Sequence, residues 1–226
     1  MIVGKGFKVV LFWVLVVAVS AILIHTHIAG EGASSYSLVF SVTAILLVVL
    51  FVGKKQKNTL ADSDAKSYVV RTGIGYDLHR LEAGRKLIVG GIELPFDKGP
   101  VGHSDGDVLA HALCDALLGA AGLGDIGTHF PDTDPKWKGA NSLLFLEHAR
   151  KLLDEKKMAI EHVDAVVILE RPKLGPHFPK MREALAKSLG VSPEKIHLKA
   201  KTNEGVDAVG RGEAIACHVA ATLVSR

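Results

Sequence analysis

The pattern of hydrophobic positions divides the chain into an apolar head and a mixed body. Residues 9–24 and 37–53 are two almost uninterrupted apolar segments within the head, residues 1–53. Residues 54–68 are polar, lack periodicity and are typical of a linker. The remaining segment, residues 69–226, contains 158 residues, which is enough to bury one ordinary hydrophobic core. We therefore predict one globular domain behind a hydrophobic head.

Within the body, segments with a two-residue period alternate with segments of helical spacing. Strands are predicted at residues 69–76, 86–92, 163–169, 196–201 and 214–224, and helices at 105–121, 142–157 and 178–189. The last strand is ambiguous because it is also rich in alanine. Ser104 or Asp105 is placed to cap the first helix. This order predicts an α+β fold, a mixed β-sheet with helices packed on one face.

The head allows two interpretations. Each apolar segment lies near the short end of the ~17–25 residues that a helix needs to span a membrane. Lysines precede the first segment and follow the second, whereas the loop between the segments carries Glu31 and no Lys or Arg. This distribution of charge favours a hairpin of two transmembrane helices. Alternatively, residues 1–29 have the plan of a signal peptide, and the second segment is a stop-transfer or part of a longer targeting presequence.

Charge and cysteine content exclude several classes of protein. The chain has 27 Lys plus Arg against 24 Asp plus Glu, and residues 1–57 hold five lysines against one glutamate. The body therefore has no basic excess, which argues against nucleic-acid binding. Cys114 and Cys217 each lie in an apolar run, so we predict two buried thiols and neither a disulfide scaffold nor a paired-cysteine metal site.

The strongest candidate chemistry is a metal site. Asp77 and His79 are two residues apart at the predicted end of the first strand, so their side chains point to the same face. His111 lies on the next helix, and one Asp with two His is a three-ligand set that suits catalytic Zn²⁺. Spacing alone also allows an interpretation without a metal. In it, Asp77 and His79 are an exposed pair at a strand end, and His111 on the helix hydrogen bonds to Asp107 or Asp115.

Further polar stretches follow the predicted strands or precede helices. Residues 103–107 precede a helix, where an anion can bind or a simple capping turn can form. Residues 124–134 form an Asp- and Gly-rich loop, and residues 169–177 leave a buried strand through two prolines. Glu204 could hold Mg²⁺ or Mn²⁺, and Arg211 between two glycines could clamp a phosphate.

Together these stretches resemble one family. The segments GIGYDLHRL, HSDGDVLAHALCDALLGAAGLGDIG, HFPDTDP, ERPKLGPH and KAKTNEGVDAVGRGEAIA are similar to the 2-C-methyl-D-erythritol 2,4-cyclodiphosphate synthases of non-mevalonate isoprenoid synthesis. The resemblance covers essentially all of residues 69–226. Segments RPKLGPH and KAKTNE resemble the plastid-type members, so the resemblance implies a plastid location, with the head as a presequence or membrane anchor.

The resemblance implies a reaction and a set of site residues. The family converts 4-diphosphocytidyl-2-C-methyl-D-erythritol 2-phosphate into the cyclic diphosphate and CMP. Carried over, Zn²⁺ binds Asp77, His79 and His111, a second cation (Mg²⁺ or Mn²⁺) binds Glu204, and His103 and Thr202 stabilise the transition state. The implied substrate-binding residues are Asp77, Leu78, His79, His103, Ser104, Asp125, Ile126, Gly127, Phe130, Pro131, Asp132, Thr133, Asp134, Leu169, Glu170, Arg171, Pro172, Lys173, Leu174, Gly175, Thr202, Asn203, Glu204, Gly205 and Arg211. Among them, the resemblance implies that residues 104, 125–127 and 130–134 hold the methylerythritol phosphate, and that residues 169–175 and 202–205 hold cytidine and its phosphates.

The resemblance further implies a homotrimer with active sites between subunits, and an isoprenoid diphosphate on the trimer axis near Arg211 and Glu213. Residues 205–208 (Gly-Val-Asp-Ala) depart from the family's usual Lys-Leu-Gly-Phe, which puts in question a substrate contact at Ala208.

Two rival functions use part of the same features. A zinc phosphoesterase would need only the metal ligands, and a membrane-anchored scaffold would use only the head.

Overall fold

A computed structural model describes residues 68–225, which fold around a five-stranded sheet. The elements are β1 (Val70–Ala83), β2 (Leu87–Val89), β3 (Ile92–Leu94), β4 (Lys98–Pro100), α1 (Val108–Ala121), α2 (Ile126–His129), α3 (Leu143–Glu155), β5 (Met158–Ile168), α4 (Phe178–Leu189), β6 (Ile196–Lys201), α5 (Asp207–Gly210) and β7 (Ala214–Ser225). Single 3₁₀ turns lie at Pro135–Trp137, Gly175–His177 and Pro193–Lys195.

The sheet is mixed, as predicted. Its strand order is β4-β1-β7-β5-β6, and β2 pairs with β3 in a separate hairpin. Strands β1 and β5 flank β7 antiparallel to it, whereas β5 and β6 run parallel. The long ladder between β1 and β7 places Asp77 opposite Cys217 and His79 opposite Ile215.

One face of the sheet carries the helices and the other is exposed. On β1, Gly73 and Gly75 are buried against α1, whereas Ile74 between them and Tyr76 after them are 83% and 53% exposed. A Cβ atom at Gly73 or Gly75 would overlap a backbone carbonyl oxygen of α1. The two glycines therefore let α1 lie closely against the sheet, and the prediction of helices packed on one face is confirmed.

Helix α1 forms the centre of the hydrophobic core. Most of its residues are alanine or leucine, and most are buried between the sheet and helix α3. Cys114 on α1 and Cys217 on β7 are both buried and free, as predicted. Burial raises the pKa of both thiols well above the ordinary value, so they are unreactive packing residues.

Several predicted boundaries are wrong. Helix α1 begins at Val108, and its N-cap is Asp107 rather than Ser104 or Asp105, because the Asp107 carboxylate accepts hydrogen bonds from the first turn. Strand β1 continues to Ala83, so Asp77 lies inside the strand instead of ending it. The strand predicted at residues 86–92 is a hairpin, in which Gly90 and Gly91 turn the chain with φ of 59° and 74°.

Other predictions hold. Helix α4 and strand β6 match residues 178–189 and 196–201, and the ambiguous segment at 214–224 is a strand because it pairs with both β1 and β5. Strand β5 starts earlier than predicted, at Met158. The apolar segments 9–24 and 37–53 lie outside the described residues. Among residues 68–225, no helix has the length and apolar character needed to cross a membrane.

Candidate metal centre and active site

Three predicted metal ligands converge at the edge of helix α1. The Asp77 Oδ2 atom lies 3.0 Å from His111 Nδ1 and 3.1 Å from His79 Nε2, and the two ring nitrogens are 3.1 Å apart. Tetrahedral Zn²⁺ with bonds of ~2.0–2.1 Å holds its ligand atoms about 3.3 Å apart. The donor set and its spacing therefore fit one zinc ion with a fourth position left for another ligand.

The local sequence explains why these three side chains meet. Asp77 and His79 occupy alternate positions of β1, in phase with the buried Gly73 and Gly75, so they face α1. Asp107 caps α1 and also accepts hydrogen bonds from Gly90 N and Gly91 N, which ties the β2–β3 hairpin to the helix start. His111 follows one turn later and is thereby held above the strand.

Hydrogen bonds within the cluster shift the pKa values of Asp77 and His111. Burial works to raise the pKa of Asp77, but hydrogen bonds with His111 and His79 outweigh it and hold that pKa well below its usual range. Burial works to lower the pKa of His111, whereas the hydrogen bond to Asp77 raises it above its ordinary value. Asp77 is thus an anion at neutral pH, as a zinc ligand must be.

The cluster opens into a cavity of about 430 Å³. Ten of the predicted site residues line it: Asp77, His79, His103, Ser104, His111, Ile126, Gly127, Phe130, Pro131 and Asp132. The exposed His103 side chain and the α2 loop face the metal ligands across this space. The lining combines imidazole, hydroxyl and carboxylate groups with the aromatic rings of Phe130, Trp137 and Phe145.

Comparison with known proteins identifies the family. Residues 70–224 match the model of the YgbB family. The chain is 54% identical over 155 residues to 2-C-methyl-D-erythritol 2,4-cyclodiphosphate synthase of Desulfosudis oleivorans, an alignment that covers 69% of this chain and 92% of that one. It is 56% identical over 149 residues to the protein of the same name from Chloroherpeton thalassium, covering 66% and 95%.

The chain belongs to the YgbB family. A crystal structure of 2C-methyl-D-erythritol 2,4-cyclodiphosphate synthase from Plasmodium vivax superimposes with a TM-score of 0.61 at 36% identity, over 70% of this chain and 99% of that one. A CDP-bound structure of an enzyme of the same name superimposes with a TM-score of 0.63 at 42% identity, over 68% and 99%.

Three cavity residues escaped the sequence-based site list: Asp115, Trp137 and Phe145. Asp115 lies one helical turn after His111, which was a signal for a shared face. Burial raises its pKa although Ile126 N donates a hydrogen bond to its carboxylate. Trp137 and Phe145 pack edge to face with centroids 5.6 Å apart, and only the tertiary fold brings them to the cavity of the metal ligands.

Other predicted residues of this half do not line the cavity. The Leu78 side chain points to the opposite sheet face and is 47% exposed, while its N–H donates to Asp77 Oδ1 at 2.9 Å. Asp125 and Asp134 cap α2 and the following 3₁₀ turn, so their carboxylates are engaged by backbone N–H groups. Thr133 lies between Asp132, which lines the cavity, and that turn.

The predicted cytidine and second-metal residues lie elsewhere in the same chain. Across the sheet, Asp77 is level with Cys217, Val167 and Ala200, so Thr202 to Gly205 follow β6 at the same height but three strands away. At ~4.8 Å per strand this separation is about 14 Å. None of Leu169–Gly175, Thr202–Gly205 and Arg211 lines the metal cavity.

These residues have distinct local environments. Leu169 and Leu174 are buried in the core, so within residues 169–175 a ligand would meet backbone atoms and the polar side chains. Glu204 adopts φ of 51° and Arg211 pairs with Glu213 at 3.0 Å. A left-handed backbone at a residue other than glycine is uncommon, which draws attention to Glu204.

The departure at residues 205–208 preserves the loop. Asp207, which stands where the family pattern has glycine, adopts φ of 61°. Its carboxylate accepts hydrogen bonds from Val209 N at 2.7 Å and Asn203 Nδ2 at 2.8 Å. Asp is among the residues that tolerate this conformation through such local bonds, so Asp207 can replace glycine without unfolding the turn.

Proposed function

We propose that this chain converts 4-diphosphocytidyl-2-C-methyl-D-erythritol 2-phosphate into 2-C-methyl-D-erythritol 2,4-cyclodiphosphate and CMP. The observation that carries the proposal is the Asp77–His79–His111 cluster, which opens into a cavity lined by the predicted methylerythritol-binding residues. The family membership and the names of the curated relatives support the same reaction.

The reaction requires positioning more than proton transfer. An oxygen of the 2-phosphate attacks the β-phosphorus, the bond from that phosphorus to the bridging oxygen breaks, and CMP leaves with that oxygen. The nucleophile is already anionic, so no strong general base is needed and no water is consumed. The residues of the site act by holding the two phosphates in line and by offsetting their negative charge.

The proposed reaction uses two cations, and the Asp77–His79–His111 donor set supports the first of them. Asp77, His79 and His111 would hold Zn²⁺ next to the β-phosphate, and Glu204 would hold Mg²⁺ or Mn²⁺ at the diphosphate. Bound cations would withdraw electron density from the phosphorus and lower the repulsion between the phosphates. His103, exposed at the cavity, and Thr202 after β6 would donate hydrogen bonds to phosphate oxygens. Phe130, Trp137 and Phe145 would contact the apolar edge of the methylerythritol and exclude water.

We also propose a homotrimer whose active sites lie between subunits. One observation in its favour is the separation of about 14 Å between the metal cluster and Thr202–Gly205 within one chain, at ~4.8 Å per strand. The other is the exposed sheet face, where Val70, Ile74 and Tyr76 are 61%, 83% and 53% exposed. An apolar face of this kind is typical of a surface that another chain covers.

Phosphorus NMR of the full chain with the diphosphocytidyl substrate, Zn²⁺ and Mg²⁺ tests the reaction. We expect coupled resonances of the cyclic diphosphate together with CMP. His111→Ala should abolish them, and His162→Ala, which changes an exposed histidine on β5 outside the cavity, should leave them. Release of inorganic phosphate from simple esters would instead support the rival zinc phosphoesterase.

Mixing two inactive variants tests the shared site. In a trimer with sites between subunits, His111→Ala and Glu204→Ala chains complement each other, because a site that takes its metal half and its Glu204 from different chains can be intact. Random mixing at equal concentrations, with exchange of subunits, should restore about a quarter of the wild-type activity. No recovery under conditions where exchange is demonstrated would contradict the shared site.

Three finer proposals extend this function. An isoprenoid diphosphate on the trimer axis would have to compete with Glu213 for Arg211, and unchanged prenyl-diphosphate binding in Arg211→Ala would eliminate this proposal.

Plastid delivery would use the head as a presequence, whereas a retained head would bring the trimer to a membrane. N-terminal sequencing of the mature protein separates these outcomes, because a first residue near 54–70 would eliminate the anchor.

A further inference from the structure

A chain of hydrogen bonds leads away from the metal cluster through the second ring nitrogen of His111. While Nδ1 faces Asp77 and His79, Nε2 lies 2.8 Å from Ser142 Oγ and 2.9 Å from Ser104 Oγ. The Ser142 hydroxyl in turn hydrogen bonds to Asp105 Oδ1, and Ser142 N donates to Asp105 Oδ2 at 3.0 Å. Ser142 is fully buried at the start of α3.

This arrangement bears on which nitrogen of His111 carries hydrogen. A ring nitrogen binds a metal only through a free lone pair, and a neutral imidazole carries one hydrogen on its two nitrogens. For Nδ1 to face the metal, the hydrogen must therefore lie on Nε2. Asp77 acts in the opposite direction, since its carboxylate attracts a hydrogen onto Nδ1 in the metal-free site.

Asp105 determines the direction of the hydrogen bonds. A serine hydroxyl can either donate to Nε2 or accept from it, so Ser142 alone would not distinguish the two tautomers. An ionised carboxylate only accepts. With Asp105 accepting from both its hydroxyl and its N–H, Ser142 must donate to Asp105, and its lone pair is left to accept the Nε2 hydrogen. Ser104 Oγ, also near Nε2, lies 3.3 Å from Ser142 Oγ and can donate to the second lone pair of that oxygen instead of to Nε2.

The carboxylate is itself held in place. Asp107 N donates to Asp105 Oδ1 at 3.2 Å, and Asp105 N donates to Ala140 O at 3.0 Å, which ties it to the helix start and to the loop before α3. Ser142 is excluded from solvent, so its own hydroxyl, and not bulk water, completes the chain of bonds in the folded protein.

We propose that Asp105 and Ser142 form a positioning relay that keeps the hydrogen of His111 on Nε2 and presents Nδ1 to the metal. The relay rests on the zinc site of the proposed function. It consists of two residues that act through the ligand His111 and do not touch the metal themselves. Partners of this kind orient ligating histidines, and their removal typically weakens metal binding ~10–100-fold.

Zinc affinity of the metal-free, full-length chain tests the relay without any substrate. The dissociation constant is measured by competition with a chromophoric chelator. We expect Ser142→Ala and Asp105→Asn each to weaken zinc binding ~10–100-fold. The double variant should be no weaker than the weaker single variant, because the two residues act as one unit. Ser188→Ala is the matched control, since this buried serine donates only to Ala184 O within α4.

Two further measurements separate a positioning role from a structural one. Ser142→Thr keeps the hydroxyl and should retain zinc affinity within a few-fold, provided that its melting temperature shows that the added methyl group fits. At saturating zinc, Ser142→Ala should regain most of its kcat, because mass action overcomes a tautomer penalty.

The relay is overturned if Ser142→Ala lowers the melting temperature but leaves the zinc dissociation constant at the wild-type value, or if the losses of the single variants add in the double variant. It is also overturned if the wild-type chain binds no zinc. In that case turnover in the phosphorus NMR assay with Mg²⁺ or Mn²⁺ still decides the proposed reaction independently.

Discussion

Replacing Asp107 by alanine should destabilise the fold more than replacing an exposed carboxylate. Its fully buried side chain accepts four backbone hydrogen bonds, two from the first turn of α1 and two from the β2–β3 turn. The donors are Leu109 N at 3.1 Å, Ala110 N at 3.0 Å, Gly90 N at 2.9 Å and Gly91 N at 2.6 Å. Alanine leaves all four N–H groups without this acceptor.

The magnitude follows from these contacts. Loss of an N-cap costs about 1 kcal/mol, and each buried N–H left without an acceptor costs about 1–3 kcal/mol. The N–H groups of Gly90 and Gly91 add this second contribution twice, so the sum is about 3–7 kcal/mol. Burial raises the pKa of Asp107, which means that the carboxylate is itself costly to bury and that the lower end applies. A loss of about 3 kcal/mol is a large part of a typical stability of about 5–15 kcal/mol.

Urea denaturation of the full chain, at one protein concentration and followed by circular dichroism, measures the effect. Asp97→Ala, an exposed carboxylate in the loop before β4, is the control and should change the free energy of unfolding by less than about 0.5 kcal/mol. Asp107→Asn should be intermediate, because an amide oxygen can replace Oδ1 but its NH₂ group would face Gly91 N. A loss in Asp107→Ala of less than about 1 kcal/mol relative to the control would refute the reasoning.

Three other predictions concern the helix contact, acid stability and the cavity. In thermal melts, Gly75→Ala should lower stability by about 1–3 kcal/mol because its Cβ overlaps Ala112 O, whereas Gly119→Ala, on the open side of α1, should raise it by about 0.5–1 kcal/mol. In the metal-free chain, the low pKa of Asp77 contributes stability that is complete above the unfolded-state pKa of about 3.9 and is lost as pH falls towards the folded-state value, so Asp77→Asn should flatten the acid side of the stability profile. Trp137 lines the cavity, so the cyclic diphosphate should change tryptophan emission in the wild type but not in Trp137→Phe; an equal change in both would place the ligand elsewhere.

Elements with strong local signals could be predicted from the sequence. Helix α4 has an apolar stripe of helical spacing and ends at Gly190 in the left-handed conformation that a helix C-cap favours. The bounds of strand β6 also match the predicted ones, residues 196–201. The start of α1 could not be predicted as well, because Ser104, Asp105 and Asp107 are all capping residue types. Asp107 differs from the other two in tertiary contacts, because its carboxylate also accepts hydrogen bonds from the β2–β3 hairpin.

The candidate site shows the same division. The two-residue spacing of Asp77 and His79 predicts a shared face because strand geometry is local. That His111 lies 3.0 Å from Asp77 depends on Gly73 and Gly75, which allow α1 to approach β1. Trp137 and Phe145 gave no signal as cavity residues, since an aromatic residue in a loop or helix is most often part of the core.

The sequence by itself therefore determined the types and approximate order of the elements, the residues able to bind a cation and the family to which they belong, because these depend on short-range periodicity and side-chain chemistry. The tertiary structure decided which polar residues serve the site. It placed Asp107 in the frame of the fold, Ser142 behind His111, and Glu204 three strands from the metal ligands. Distances between residues far apart in the chain are set by sheet order and helix packing, and neither can be read from local spacing.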